Sequence, residues 1–546
     1  MYLHAVNRTP RPVPRCSPPA AASAWRCLPL LASLVTGCAT DAAGTGDAST
    51  GTTANTSSST SALPTTGGSF DGTASGSSTA DAQTTGPTTA LPTTSDTTTG
   101  TTTPIDPDTT ATGTTGTTDV SGTTDASVCG DGVVEADELC DDGNDAPYDG
   151  CEPDCRPSLL DVQGGSEHVC ALLGSGAVRC WGDNHEGQLG YGHTDNLGDQ
   201  PGELPTPDVD LGGPVVELAV GSEHTCVRHG DGSVGCWGNN MHGQLGVGST
   251  DNVGDKPGQM PPQAVPLDAP AIRITSGLNH SCALLDTGAV QCWGANDYGQ
   301  LGVGTTETLG DEPGELPPPA TQIGDDVERI VGGRNYNCVL LVGGEVRCWG
   351  EYTEGNLGGA DDVAENIGDD PGELPTESVL VGGPVDDLTT GHNTVCARLG
   401  DQLRCWGSGQ YGALGAGDTA NLGGSPGDMP PPVVTLGGKV LQHSAGLGSC
   451  ALMDDRKLRC WGSWLALGNG NNENIGDDPG EMPPVDVALP GPVSSIHSGE
   501  GFTLAIMVDG TLRAWGFNNS GQLGLGHTEH IGDDELPTSI GVVPVY

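Results

Sequence analysis

Cys226-Val-Arg-His-Gly-Asp-Gly-Ser-Val-Gly-Cys236-Trp237-Gly238, followed by Gly243-Gln-Leu-Gly246, is the stretch on which the reading of the fold turns. Its Trp-Gly pair recurs at Trp181, Trp293, Trp349, Trp406, Trp461 and Trp515, always 54 to 57 residues from the next. A fixed period of this size marks a repeat architecture, because each unit is one supersecondary element that cannot bury its apolar face alone. Seven copies predict an all-β, seven-bladed β-propeller over residues 158–546. A closed ring of blades is a scaffold whose activity lies in its loops, so the period speaks to fold before function.

The cysteines give an independent reading of the strands. Six repeats carry a pair, 170/180, 226/236, 282/292, 338/348, 396/405 and 450/460. In five of them the two cysteines are ten apart, which sets a three-residue loop at a hairpin tip. Gly176, Gly232, Gly288 and Gly344 stand third in four of these loops, where a left-handed residue is wanted. The pair 396/405 is nine apart, and the loop becomes Gly400-Asp401, suited to a primed turn. Arg456 breaks the pattern in the sixth repeat. The seventh has Leu504 and Ala514 where both cysteines would stand, and loss of both together is what a disulfide predicts. Cys170–Cys180, Cys226–Cys236, Cys282–Cys292, Cys338–Cys348, Cys396–Cys405 and Cys450–Cys460 are therefore read as cross-strand disulfides. They require an oxidising compartment. Zinc is disfavoured because no second ligand pair accompanies them at metal-site spacing.

Gly-Gln-Leu-Gly returns at Gly187–Gly190, Gly299–Gly302 and Gly521–Gly524, with Gly355-Asn-Leu-Gly358 and Gly412-Ala-Leu-Gly415 as near matches. With the Cys-Trp-Gly hairpins, this pattern resembles the regulator of chromosome condensation propeller family over roughly the last 390 residues. The resemblance implies a propeller whose loop face binds proteins. It also implies guanine-nucleotide exchange, which the export leader, the disulfides and the lack of a basic tail disfavour. Bacterial inhibitors built from the same repeat suggest inhibition of a secreted or periplasmic enzyme, and some propellers are enzymes with a central carboxylate cluster. No activated Ser, Cys-His pair or P-loop is present, so no catalytic residue is assigned and the chain is read as a non-enzyme with no required cofactor.

Before the ring the chain changes character three times. Residues 1–37 read as a signal peptide, with Arg8, Arg11, Arg15 and Arg26 ahead of an apolar run from Leu28 to Val35 that is too short to span a membrane. The run ends in Val35-Thr-Gly-Cys38, which resembles the bacterial lipoprotein box and implies acylation of Cys38. Ala39, rather than Asp, then points by resemblance to an outer-membrane lipoprotein at the surface or in the periplasm, touching the membrane through its lipid alone. Residues 38–127 hold mainly Thr, Gly, Ser, Ala and Pro with scattered Asp, no Lys, Arg or Glu and one aromatic, Phe70, and cannot offset chain entropy by burial. They are expected to form a disordered stalk, open to O-glycosylation.

Residues 128–157 contain Cys129, Cys140, Cys151 and Cys155, an exported unit too small for a core and read as two disulfides of undetermined pairing. It resembles a short cysteine-rich repeat of secreted myxobacterial proteins. Asp131, Glu135, Asp141, Asp142, Asn144 and Asp149 are hard oxygen donors suited to Ca²⁺, and equally ordinary turn residues.

The net charge is −52, with Lys only at 256, 439 and 457. Such a chain is repelled by phosphate backbones, so nucleic acid is not a partner. Each repeat carries an extra loop, clearest as Asn196-Leu-Gly-Asp-Gln-Pro-Gly-Glu-Leu-Pro205. Asp199, Glu203, Asp255, Asp311, Glu315, Asp369, Glu373, Asp477, Glu481 and Asp533 make these loops acidic. Insertions in a repeat array fall on one face, so they are expected to present an acidic ring to a protein or glycan, with structural turns and Ca²⁺ binding as the competing readings. His168, His224 and His280 share a slot that later holds Tyr336 and Phe502, which reads as a packed ring. The final segment, Pro537–Pro544, is expected to close the ring by completing the first blade.

Overall fold

The computed structural model describes residues 158–359 and 365–546. The leader, Cys38, the stalk and the cysteine-rich unit, with its four cysteines and its six oxygen donors Asp131, Glu135, Asp141, Asp142, Asn144 and Asp149, lie outside the described residues. Seven three-stranded antiparallel sheets follow one another along the chain. In the first blade the inner strand is Leu159–Gly164, the middle strand His168–Leu173 and the outer strand Val178–Gly182. The same order repeats to the seventh blade, at Val493–Ser498, Phe502–Met507 and Leu512–Gly516. In five blades the middle strand is buried from end to end, as in His168–Leu173 and Phe502–Met507, because neighbouring blades cover both its faces; in blades two and five its last two residues are partly exposed.

The cysteine register is as expected. Cys170 lies opposite Cys180, and each of the six pairs is a disulfide with Cα atoms 4.1 Å apart. Leu504 lies opposite Ala514 in the same register without one. At the hairpin tip, the Gly176 amide donates to Leu173 O at 2.8 Å with φ of +79°. Arg456 does not change this turn. It takes φ of +63° itself, and its amide donates to Met453 O at 2.9 Å, so a non-glycine residue carries the left-handed strain there.

One expectation fails. The C-terminal segment pairs with its own seventh blade, where the Val543 amide donates to Leu512 O at 3.0 Å. Blade one has its own counterpart, Val209 donating to Val178 O at 2.8 Å, and every other blade has one too. The Pro- and Val-rich segment after each long loop is thus the short outermost piece of the same repeat, and no strand is exchanged. The ring closes instead by contact between blades seven and one. Glu500 N donates to Gly165 O at 3.1 Å, and the Arg179 guanidinium reaches Val545 O at 2.7 Å. Arg347 and Arg459 make the same reach back to Ile323 O and Leu436 O of their preceding blades, so the last residues complete a clasp.

The seven tryptophans are the other clasp. Each is at most 1% exposed and donates Nε1 to a carbonyl of the preceding blade's Gly-Gln-Leu-Gly loop or its equivalent. Trp237 binds Gln188 O at 2.9 Å, Trp349 binds Gln300 O at 3.0 Å, and Trp181 closes the circle on Gln522 O at 2.9 Å. The second glycine of that loop lets the indole approach: a Cβ on Gly246 would stand 2.8 Å from Trp293 Nε1.

Candidate binding face

Antiparallel order fixes which loops share a face. The turns from inner to middle strand and the long loops after the outer strand lie at one end of the blades; the hairpin tips lie at the other. The inner strands enclose a channel of about 600 Å³, lined by ion pairs between neighbouring blades. His497 meets Asp161 at 2.9 Å, Arg329 pairs with Asp387, and Arg273 approaches Glu217 at 3.9 Å. Burial pushes Asp161 up, but His497 and its hydrogen bonds outweigh this and hold it below the usual carboxylate range. These pairs tie each blade to its neighbour around the channel wall.

At the loop end the channel narrows to a mouth of about 140 Å³, where the matching turn position varies from blade to blade through Ser166, Ser222, Leu278, Arg334, His392 and Glu500. Ser166 Oγ is 2.7 Å from Ser222 Oγ and donates to Glu500 Oε2 at 2.7 Å. Arg334 donates to His392 Nε2 at 2.7 Å, and that nitrogen stands 3.6 Å from Glu500 Oε1. Burial, then the Arg334 charge, holds His392 below its ordinary value, which leaves a neutral imidazole accepting from the guanidinium. Ser, His and Glu meet here without forming a nucleophile and base. The Ser166 proton goes to the carboxylate, and His392 Nε2 is already taken.

Around the mouth, Glu167, Asp183, Glu186 and Glu223 gather in blades one and two. Burial raises Glu223 and the other three carboxylates push the same way, against a hydrogen bond from Asn239. Leu447, Trp464, Leu465 and Phe517 are half-buried on blades six and seven. Phe517 stacks on His530 with centroids 4.8 Å apart. Met241, Tyr298 and Tyr411 stand exposed on the loops between.

Residues 212–545 match the family model described as RCC1-like domain, and RCC1 repeats match at 160–188 and 175–228. The chain belongs to the RCC1-like family. Residues 123–156 match a domain of unknown function, DUF4215. The ultraviolet-B receptor UVR8 of Arabidopsis thaliana is 28% identical over 386 residues, which are 68% of this chain and 79% of that protein. Human HERC2, an E3 ubiquitin-protein ligase, is 28% identical over 369 residues; they are 66% of this chain but only 7% of HERC2. Among solved structures, Prp20p of Saccharomyces cerevisiae superposes with a TM-score of 0.51 at 21% identity, covering 71% of this chain and 87% of that one.

On this RCC1-like ring the acidic loops lie around the same face as the mouth, and they also stitch blades together. Gly192 N donates to Gly254 O of the next blade's loop at 2.9 Å, and Gly526 N to Gly198 O at 3.0 Å across the closure. The glutamates are turned into their own loops. Glu203 Oε2 accepts from the amides of Gly198 and Gln200 at 2.8 and 2.9 Å, and Glu315, Glu373 and Glu481 repeat the pattern. Asp199, Asp255, Asp311 and Asp369 follow the stitching glycines. Burial and then Glu203 raise Asp199, and burial raises Asp311 and Asp369. Asp477 holds the same place, with its carboxylate 3.3 Å from Asn474 Nδ2. Asp533 accepts from the Asp534 amide at 3.1 Å in the shortened seventh loop.

His168, His224 and His280 are buried, each with Nε2 about one hydrogen bond from the next blade, as His224 is from Ser281 Oγ at 2.9 Å. They pack over glycines of the mouth turns: a Cβ on Gly221 would lie 2.2 Å from the His224 ring. The mouth residues themselves escaped the sequence reading. They recur once per repeat as unlike side chains and leave no periodic signal. The Trp-to-carbonyl clasp did leave one, since Gln188–Trp237, Gln244–Trp293 and Gln300–Trp349 are each separated by 49 residues.

Proposed function

We propose that this protein is a binding module that captures a basic protein segment on the loop face of its propeller, displayed from a membrane by an acylated Cys38 and the Thr/Ser-rich stalk. The observation that carries the reading is the charge of that face. Across all seven mouth turns and long loops, Lys and Arg occur only at Lys256 and Arg334, while carboxylates occur in every blade. Lys256 is paired with Asp255 at 2.7 Å and Arg334 with His392, so no cation on the face is without a partner. The sector of Glu167, Asp183, Glu186 and Glu223 would take Lys or Arg side chains, and the apolar sector of Leu447, Trp464 and Phe517 would take an adjoining aromatic or aliphatic anchor. A protein partner is also the class of ligand named for the yeast relative, whose structure was described with its binding to Gsp1p and histones. Glycan capture and enzyme inhibition would use the same face, but neither accounts for the depletion of cations.

Fluorescence anisotropy of the full chain against Lys/Arg-rich, neutral and acidic peptides tests the reading. Binding of the basic set is expected to weaken with salt and to fall at least about tenfold when the four carboxylates of blades one and two become amides, the size of one or two lost charged contacts. Equal affinity for acidic and basic peptides would refute it. Cys38→Ser is expected to abolish incorporation of labelled fatty acid; unchanged labelling would remove the anchor from the proposal.

A further inference from the structure

One core position breaks the repeat. The inner strand of six blades turns Val162, Leu218, Ile274, Ile330, Leu388 or Ile496 into the core, and in the sixth blade the residue there is His443, 4% exposed. Its Nδ1 lies 2.7 Å from Thr389 Oγ, while Nε2 is buried without a hydrogen-bond partner. An orphaned polar atom in a core is destabilising, and an aliphatic residue would avoid it. What faces the ring is the Cys396–Cys405 disulfide of blade five. Both sulfurs and a ring nitrogen lie within 4.8 Å of one another, and all three residues are buried. Among the described residues no other disulfide has a third ligand of this kind beside it.

We propose that Cys396, Cys405 and His443 form a redox-gated metal site for a thiophilic divalent ion, with Zn²⁺ the natural occupant. Oxidised, the cysteines are a staple and no ion binds. A dithiol reductant opens the pair: its two thiol groups close to a disulfide, two electrons pass to Cys396 and Cys405, and two thiols result. Zn²⁺ then displaces their two protons to solvent and takes two thiolates and the imidazole, three of the four positions of a tetrahedral site. Thr389 is the outer-shell partner. By accepting from Nδ1–H it would fix the tautomer that leaves the Nε2 lone pair free for the ion. The channel gives access, because Thr389 and His443 both line it, and a water from it completes the coordination.

Full-length protein, reduced with a dithiol and desalted without oxygen, is titrated with Co²⁺ as a spectroscopic probe and with Zn²⁺ against a chromogenic chelator, beside His443→Val and Thr389→Val. Valine is the kind of residue other blades hold at position 443, so that variant is expected to fold. The expected result is one Co²⁺ more in the reduced wild type than in reduced His443→Val, with thiolate-to-metal absorption and tetrahedral ligand-field bands in the difference between them, and no such difference between the oxidised proteins. Zn²⁺ should bind His443→Val more than about 100-fold less tightly, beyond the loss caused by removing an outer-shell partner, and Thr389→Val about 10- to 100-fold less tightly than wild type. Zn²⁺ should also raise the melting temperature of the reduced wild type but not of His443→Val. Equal metal affinity in wild type and His443→Val would overturn the proposal. So would a reduced wild type that Zn²⁺ neither protects nor refolds.

Discussion

The seven blade junctions and the seven turns around the channel mouth are built on the same backbone repeat, yet they treat side chains in opposite ways. At every junction an indole donates to a carbonyl of the preceding blade at about 3 Å, from Trp181 on Gln522 to Trp515 on Ala466. At the mouth the backbone repeats in six turns, the one in blade six being a residue shorter, but the side chains run through Ser166, Ser222, Leu278, Arg334, His392 and Glu500. Burial explains the contrast. A junction admits one solution because a displaced indole leaves a void and an unmet carbonyl, whereas a half-open turn tolerates any side chain and is free to differ. Uniformity marks what holds the ring, and variety on a uniform frame marks where a specific partner can be read.

The largest expected break between the two regions is acidification. Burial lowers His168 and His280 to about 4 and His224 to about 3, from 6.5 in an unfolded chain. Between those values the unfolded state binds protons that the folded state refuses. The contribution is therefore intact above about pH 6.5 and is lost as pH falls toward 4. Urea midpoints measured from pH 7 to pH 4 are expected to fall by an amount worth several kcal/mol. His224→Phe should flatten the slope, since Phe502 fills the matching slot over Gly499. A variant with the wild-type slope would show that these rings do not carry the effect. Next in size, Trp349→Ala is expected to cost about 3–5 kcal/mol in denaturant unfolding, and Trp349→Phe less, by keeping the packing and losing only the bond to Gln300 O. If both variants unfolded together, the hydrogen bond rather than the packing would be the clasp.

A smaller test concerns the one blade without a staple. Leu504 and Ala514 are paired in the register that the other six blades use for cystine. Leu504→Cys with Ala514→Cys is expected to form a seventh disulfide in the ring, seen as a loss of two titratable thiols. The entropic gain of about 2–3 kcal/mol for a loop of this size would be partly offset by the lost burial of Leu504, leaving a modest rise in melting temperature.

The sequence was most legible where burial enforces sameness. The Trp-Gly period, the ten-residue cysteine spacing and the glycine at the third loop position all predicted structure correctly, each being the only answer to a local steric demand. Pro537–Pro544 was misassigned to blade one because one bond per blade, such as Val209 to Val178, is too little pairing to show in a sequence as a strand. The acidic loops were expected together on one face, and the strand order puts them at one end of the blades, but the pattern of Glu203 and its counterparts also serves to cap their own loops. Distance along the chain hid the rest: Ser166 and Glu500 are 334 residues apart and meet only because the ring closes.

That closure makes the smallest expected effect the most discriminating. Arg334 is exposed, His392 and Glu500 are partly so, and their bonds lie at the edge of solvent, where exposed ion pairs contribute about 0–1 kcal/mol. Arg334→Ala together with Glu500→Gln is therefore expected to leave the melting temperature within a degree or two of wild type, the shift that less than about 1 kcal/mol produces in a chain of this size. The pair removes one charge of each sign, so the net charge of the face is preserved. A large change in basic-peptide affinity would then have to come from the shape and polarity of the mouth itself, placing the mouth within the binding surface. Unchanged affinity would confine recognition to the acidic and apolar sectors around it and make the mouth cluster a closure of the channel. A large fall in stability would erase the distinction between junction and mouth, because the mouth would then be holding the ring as the tryptophans do.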